Sequence, residues 1–218
     1  MPPAPRPLFL GHRGARVPGI PENTFAAFDL ALQKSCDGFE FDVRCTRDGR
    51  LLICHDPELL GRTIATAPSA DFANAAPSLQ GVLSRYAATA FLDIELKVAG
   101  MQEAVIAALR THSPQRGYVV SSFLPEVLLD LHSGSVAIPL GFICDKKEEL
   151  SRWPMLPVEF VIPHHKLLSR KLLDELHRAG KKVFVWTVND PDDISRFAAW
   201  GVDALISDDP ARLATLIL

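Results

Sequence analysis

The stretch Val183-Phe184-Val185-Trp186-Thr187-Val188 decides between the folds open to this chain, because nearly all of its side chains are apolar. A parallel strand covered on both faces has this pattern, whereas a strand with one solvated face alternates polar and apolar residues. Comparable runs lie at residues 8–12, 38–43, 91–96, 117–121, 138–143, 159–163 and 203–207, with an extra one at 51–55. Stretches with helical spacing separate these runs. The pattern of eight strand–helix units predicts a (β/α)8 TIM barrel.

The composition is that of one globular domain. The chain has 218 residues, of which 48% are hydrophobic, and a formal net charge of −3. Barrels of this class form single units of about this size, so we expect one domain over residues 1–218. An open, doubly wound sheet is the alternative, but no G-x-G-x-x-G or P-loop fingerprint supports it.

Charge and hydropathy exclude several classes of partner. No basic run is longer than Lys181-Lys182, which disfavours nucleic acid, and no apolar run approaches the roughly 20 residues of a membrane span. Without a secretory signal, the expected location is cytoplasmic. Four cysteines, Cys36, Cys45, Cys54 and Cys144, form no C-x-x-C pair, and we expect them to be buried thiols rather than zinc ligands. The sequence leaves the oligomeric state open, and a homodimer is compatible with it.

Two of the predicted strands carry acids where a core should be apolar. In Phe39-Glu40-Phe41-Asp42-Val43, strand alternation places both acids on one face, and in Asp93-Ile94-Glu95-Leu96-Lys97 it does the same for the polar residues. Solvent-facing edge acids are the alternative, which a covered parallel sheet disfavours. Glu40, Asp42 and Glu95 therefore predict an oxygen-ligand site for a hard divalent cation, Mg2+ or Ca2+, with Mn2+ as a further candidate.

Two histidines and two cationic residues follow the same strands. His12 comes directly after the first strand, and His55 ends the extra strand. Either could be a structural histidine, but beside a bound cation the pair fits general acid–base catalysis. Arg13 and Lys97 add donors suited to phosphate oxygens. Together these residues predict phosphoryl-transfer chemistry.

Two aromatic residues, Phe123 and Trp186, lie at or just beyond strand ends. In that position a large ring either walls a pocket or packs in the core, and core packing is the commoner role. We include both as candidate substrate-contacting residues.

The combined motifs resemble those of the glycerophosphodiester phosphodiesterase family. The matching segments are His12-Arg13-Gly14, Pro21-Glu22-Asn23-Thr24, Glu40-Phe41-Asp42-Val43, His55-Asp56, Asp93-Ile94-Glu95-Leu96-Lys97 and Val185-Trp186-Thr187-Val188-Asn189. The resemblance implies a (β/α)8 barrel that hydrolyses glycerophosphodiesters to glycerol 3-phosphate and an alcohol with a divalent cation. It also implies metal ligands at Glu40, Asp42 and Glu95, acid–base residues at His12 and His55, phosphate ligands at Arg13 and Lys97, and a supporting polar residue at Glu22.

One departure from the family pattern concerns the segment between the second histidine and the Asp-x-Glu strand. The family usually inserts a larger cap there, whereas only residues 56–90 intervene in this chain. A reduced cap predicts a more open pocket, with room for lysophospholipids or other bulky diesters. The alternatives are therefore a phosphodiesterase of lipid head groups and a non-catalytic metal- or phosphate-binding barrel. A pure binder has no need of both histidines, which disfavours the second alternative.

Overall fold

The computed structural model describes residues 6–135 and 137–215. The strands are β1 (Leu8–Gly11), β2 (Gly38–Cys45), β3 (Leu51–Ile53), β4 (Glu58–Leu59), β5 (Arg62–Thr63), β6 (Phe91–Leu96), β7 (Tyr118–Ser122), β8 (Leu140–Cys144), β9 (Phe160–Pro163), β10 (Lys182–Val185) and β11 (Ala204–Ser207). The α-helices are α1 (Phe25–Gln33), α2 (Leu79–Tyr86), α3 (Gln102–Thr111), α4 (Pro125–Gly134), α5 (Lys147–Leu150), α6 (Arg170–Arg178), α7 (Pro191–Trp200) and α8 (Pro210–Thr215). None of these helices is long and apolar enough to cross a bilayer.

Eight parallel strands close into a barrel. Their order is β1-β2-β6-β7-β8-β9-β10-β11, and β1 pairs with both β2 and β11, which completes the ring. Helices follow the strands and cover the outside, as a parallel sheet requires. The predicted (β/α)8 barrel is confirmed.

Side-chain alternation separates an outer core from an inner one. On β2, the outward Phe39, Phe41 and Val43 are buried against the helices, and the ring of Phe28 from α1 stacks on Phe39 at 4.2 Å. Burying each such side chain contributes about 1.5–3 kcal/mol. Inside the barrel, a smaller apolar cluster comprises Leu10, Val119, Ile143, Phe160, Ile162, Phe184, Ala204 and Ile206. The inward polar residues of β2 and β6 share the barrel interior with this cluster.

Most strand boundaries differ from the prediction by one to three residues, and the differences at the ends of β2 and β10 have clear structural causes. β2 runs on to Cys45 because the short β3 pairs antiparallel with its last three residues. β10 ends at Val185 rather than at 188: beyond it, Trp186 makes only an isolated bridge to His164, and the Val188 N–H donates to the Ile206 carbonyl.

The segment predicted as a reduced cap divides into two parts. Residues 58–72 contain the β4–β5 hairpin and two 3-10 turns, and their apolar side chains pack with Leu52 in a small cluster of their own. α2 instead packs against the outer core of the barrel through Leu79, Val82, Leu83 and Tyr86. A single domain with a cap over residues 56–90 stays a prediction.

The expectation of four buried thiols is wrong for two of them. Cys36 and Cys144 are buried, and burial raises the pKa of each to about 12. Cys45 and Cys54 are only half-buried, because they lie where the β2–β3 ribbon extends past the body of the barrel. All four thiols are free.

Candidate active site

Three carboxylates converge at one end of the barrel. Parallel pairing sets Asp42 on β2 directly beside Glu95 on β6, and Glu40 stands two residues earlier on the same face of β2. One oxygen of each carboxylate lies within 4.8 Å of the others, and all three residues are buried. The structure thus brings together the residues that the alternation pattern selected, and a metal-ligating role for them stays a prediction.

Burial and mutual repulsion set the charge state of this cluster. Burial, followed by repulsion from Asp42 and Glu95, raises the pKa of Glu40 well above its ordinary value. Burial and the charge of Asp42 likewise raise the pKa of Glu95 to about 7. Burial acts in the same direction on Asp42, but Lys97 and Arg13 outweigh it and lower the pKa of that carboxyl. Within residues 6–135 and 137–215, the buried Glu40 Oε1 has neither a hydrogen bond nor an ion pair.

A fourth acid, Asp93, lies beside Glu40 on the same inner face. Its Oδ1 accepts a hydrogen bond of 2.5 Å from Ser121 Oγ, while its Oδ2 is buried without a partner. Burial raises the pKa of Asp93 to about 7. Alternation had placed Asp93 on this face, but the resemblance assigned it no role.

Arg13 and Lys97 neutralise the carboxylates. Lys97 Nζ lies 2.6 Å from Glu95 Oε1 and 3.3 Å from Asp42 Oδ1. Arg13 Nε lies 3.2 Å from Asp42 Oδ2, and its Nη1 donates to Glu22 Oε1 at 2.7 Å. Glu22 therefore contacts the site through Arg13. Both side chains predicted to bind phosphate, Arg13 and Lys97, lie at the pocket, where they form ion pairs with carboxylates.

The segment Pro21-Glu22-Asn23-Thr24 supports the cluster from the loop before α1. Asn23 Nδ2 donates to Asp42 Oδ2 at 2.8 Å, and Asn23 Oδ1 accepts from the backbone N–H of Asp42. The next residue, Thr24, caps α1 by accepting from the Ala27 N–H. This segment was recognised as a motif from the sequence, but the contact between Asn23 and Asp42 is seen only in the structure.

His12 projects from the end of β1 into the same pocket. Its Nδ1 lies 2.7 Å from Asp208 Oδ1, and its Nε2 lies 3.9 Å from Glu40 Oε2. Burial raises the pKa of Asp208, but hydrogen bonds from His12 and Asn189 outweigh it and hold the pKa below its ordinary range. Asp208 lies directly after β11, a position that carries chemistry in barrel enzymes, but no sequence motif singled it out.

His55 stands at the more open side of the pocket. Its Nδ1 lies 2.8 Å from Oδ1 of the adjacent Asp56, whose side chain is 75% exposed. The His55 side chain is 36% exposed, against 11% for His12. His55 also borders a second groove that runs between residues 21–24 and the β4–β5 hairpin.

The pocket between these residues has a volume of about 90 Å³. Its walls include Phe123 and Trp186, whose rings meet edge to face at 5.4 Å. Trp186 Nε1 donates to the Ile162 carbonyl at 3.0 Å, which fixes the indole, and Lys97 Nζ lies 5.7 Å from the centre of the Phe123 ring. The lining comprises His12, Arg13, Glu40, His55, Asp93, Glu95, Lys97, Phe123, Ile143, Ile162, Trp186 and Ile206. Contact of the two aromatic rings with substrate stays a prediction.

Comparisons with known proteins agree with this geometry. The family model for the Glycerophosphoryl diester phosphodiesterase family matches residues 12–88 and 83–212. A glycerophosphodiester phosphodiesterase of Caldanaerobacter subterraneus subsp. tengcongensis is 27% identical over 96% of this chain and 97% of its own. A phosphodiesterase of Oleispira antarctica, solved with its product sn-glycerol-3-phosphate, is 25% identical with a TM-score of 0.85 and covers 97% of both chains. A glycerophosphodiester phosphodiesterase structure from Agrobacterium tumefaciens is 25% identical with a TM-score of 0.84, over 96% of this chain and 98% of that one. The chain belongs to the glycerophosphoryl diester phosphodiesterase family.

Proposed function

We propose that this protein hydrolyses glycerophosphodiesters to glycerol 3-phosphate and an alcohol, with a divalent cation at Glu40, Asp42 and Glu95. The observation that carries the proposal is one pocket lined by clustered acids, two histidines and two cationic side chains. Phosphodiester cleavage needs these groups, because charge on the phosphate must be neutralised and a leaving oxygen protonated. The Oleispira antarctica relative was solved with its product sn-glycerol-3-phosphate, which is also the product proposed for this protein.

The acid cluster fits a hard cation. Its donors are all carboxylate oxygens, which Mg2+, Ca2+ and Mn2+ prefer, and the buried Glu40 Oε1 has no hydrogen-bond partner among the described residues. A bound divalent cation would polarise a phosphoryl oxygen as a Lewis acid. Glu40, Asp42 and Glu95 are the residues that would hold it, and Asn23 keeps Asp42 in place by its amide.

His12 and His55 divide the proton transfers. As the family resemblance implies, the glycerol 2-hydroxyl attacks phosphorus, and the bond to the leaving alcohol oxygen breaks. One imidazole takes the proton of the attacking hydroxyl while the other gives a proton to the leaving oxygen. Water then opens the cyclic phosphate with the two proton transfers reversed. Because His55 borders the open groove and His12 is more buried, the pair can act from different sides of the substrate.

Arg13 and Lys97 bind the phosphate. The arginine fork can take two non-bridging oxygens, and the lysine supplies a compact charge beside it. In the structure both cations face Asp42, whose oxygens lie 3.2 and 3.3 Å away. On substrate binding, phosphate oxygens would therefore replace the Asp42 oxygens as partners of Arg13 and Lys97.

The proposal is tested by glycerol 3-phosphate release from a panel of glycerophosphodiesters that differ in the alcohol, with lysophospholipids included. We expect release that chelator abolishes and that Mg2+, Mn2+ or Ca2+ restores. His12→Gln should lose activity, while His132→Gln, at an exposed position on α4, should retain it. Full activity after thorough removal of metal would refute the cation site. Turnover of lysophospholipids alone would favour the lipid head-group alternative.

Three further expectations from the sequence stay predictions: the cytoplasmic location, the absence of a nucleic-acid partner, and a pocket widened by a reduced cap. The oligomeric state stays open, and a homodimer remains compatible with the sequence.

A further inference from the structure

The seam that closes the barrel brings His12 and Asp208 together. β1 and β11 pair in parallel with Gly11 opposite Ser207, and the His12 N–H donates to the Ser207 carbonyl at 2.8 Å. The residues that follow this pair, His12 and Asp208, therefore lie side by side at the end of the barrel. This pairing sets His12 Nδ1 2.7 Å from Asp208 Oδ1, although 196 positions separate the residues in sequence.

The carboxylate of Asp208 is itself held by several donors. Asn189 Nδ2 donates to Oδ2 at 2.7 Å, and Arg16 Nη1 donates to Oδ1 at 3.2 Å. Asn189 Oδ1 in turn accepts from the Asp208 N–H and from Ser207 Oγ, both at 2.9 Å. An ionised carboxylate can only accept hydrogen bonds. The proton between the two side chains therefore belongs to His12 Nδ1.

We propose that Asp208 is the positioning residue of His12. Held by its hydrogen bonds with Asn189, Asp208 keeps the imidazole proton on Nδ1 and so leaves Nε2 as the reactive nitrogen. His12 Nε2 faces Glu40, 3.9 Å from its Oε2, whereas Nδ1 faces Asp208. A carboxylate that orients a catalytic histidine in this way acts through the tautomer and the ring orientation.

The other histidine has no comparable support. His55 is paired with its exposed neighbour Asp56, and that carboxylate has no further hydrogen-bond donor than the imidazole among the described contacts. Removing Asp56 should therefore affect turnover less than removing Asp208, because solvent can replace an exposed partner.

An isosteric amide distinguishes positioning from packing. In Asp208→Asn, one side-chain atom becomes a donor, so the amide cannot accept from His12 Nδ1 and from Asn189 Nδ2 at once. A second change, Asn189→Asp, supplies an acceptor opposite the new amide nitrogen. In the double variant, residue 208 can again turn its oxygen toward His12, while the acid at 189 keeps accepting from Ser207 Oγ.

The kinetic test rests on the proposed function. We expect Asp208→Asn to lower kcat by on the order of 10²-fold with little change in KM, because Asp208 touches His12 rather than the substrate. The double variant Asp208→Asn with Asn189→Asp should recover at least about tenfold of that loss. Asp203→Asn is the matched control: Asp203 pairs with His177 at 3.0 Å near the start of β11, away from the pocket. A kcat within twofold of wild type for Asp208→Asn would overturn the proposal.

The second readout needs no activity. Nitrogen NMR of protein with 15N-labelled histidine reports which ring nitrogen is protonated in the neutral imidazole. His12 can be assigned among the seven histidines by its loss in His12→Gln. We expect a protonated Nδ1 and a bare Nε2 in the wild type, and loss of this tautomer in Asp208→Asn. A bare Nδ1 in the wild type would refute the proposal even in an active enzyme. The expected tautomer in a protein inactive on every diester would instead refute the proposed function alone.

Discussion

Glu40→Gln should make the metal-free protein more stable while removing its response to metal. Glu40 is buried among other acids, its Oε1 has no hydrogen-bond partner in the described part of the chain, and its Oε2 accepts from the Arg13 N–H at 2.9 Å. A glutamine keeps that bond through its oxygen and turns its amide donors toward the neighbouring carboxylates, Asp42 and Glu95. Removing a buried, unsatisfied group of this kind is worth about 1–3 kcal/mol. At about 2–4 °C per kcal/mol for a chain of this size, Tm should rise by roughly 2–12 °C in chelator.

The size of this stabilisation depends on pH. Because the pKa of Glu40 is raised in the folded state, the folded protein holds that proton to a higher pH than the unfolded chain does, and stability is lost as pH rises through the folded pKa. The advantage of glutamine should therefore be large at alkaline pH and should vanish where Glu40 is protonated in the folded protein. An increase in Tm that is independent of pH would point to improved packing instead.

Melts with and without cation complete the test. At a free cation concentration of about 100 times Kd, the wild type should gain about 2.7 kcal/mol, since binding stabilises the folded state by mass action. Glu40→Gln should gain little of this and lose nearly all activity. Glu175→Gln, at an exposed position on α6, is the matched control and should behave as the wild type. A Glu40→Gln protein that is less stable than wild type in chelator, or that keeps the full gain with metal, would show that Glu40 is a structural acid.

Three further outcomes are expected. Because burial raises the pKa of Asp93 and Glu95 to about 7, the folded protein binds protons that the unfolded chain has lost, so the urea midpoint in chelator should fall as pH rises from about 5 to 8; a rising midpoint would contradict these shifts. Gly14→Ala should lower the free energy of unfolding by about 1–3 kcal/mol more than Gly19→Ala does. Both glycines have φ of 86°, but only at Gly14 would an added Cβ lie 2.6 Å from backbone of α1. Equal urea midpoints for the two variants would exclude this steric contact. His55→Ala should lower kcat by roughly 10²-fold or more with an unchanged Tm, and normal turnover would make His55 structural.

The fold could be predicted because each barrel strand carries its own signal. Continuous apolar runs such as Val183–Val185 mark strands covered on both faces, and the acids of β2 and β6 follow directly from alternation. Strand ends were less accurate, because they depend on partners. β2 continues to Cys45 because β3 folds back on it through residues 46–50, where Asp48-Gly49 is a hairpin signal that the strand prediction did not use.

The supporting residues of the site lie beyond the reach of local patterns for the same reason. Asp208 contacts His12 through the closing seam, and Asn23 contacts Asp42 from a loop before α1. Asp208 is followed by Asp209-Pro210, which reads locally as a helix start and carries no signal for a contact with His12. A ring of parallel strands puts its first and last strands side by side, so the residues after those two strands are candidates for contact in any predicted barrel.

The site is also where the described part of the chain leaves polar atoms unsatisfied. The buried side-chain nitrogen and oxygen atoms without a hydrogen-bond partner are Arg13 Nε, Glu40 Oε1, Asp42 Oδ1, Asp93 Oδ2 and Glu95 Oε1. Ion pairs with Lys97 or between Arg13 and Asp42 compensate three of these atoms, which leaves Glu40 Oε1 and Asp93 Oδ2 with neither kind of partner. Each buried polar atom without a partner lowers the free energy of unfolding, so packing elsewhere in the barrel must offset this destabilisation. Their concentration at one end of the barrel indicates that this end is built to receive a ligand that the protein itself does not provide.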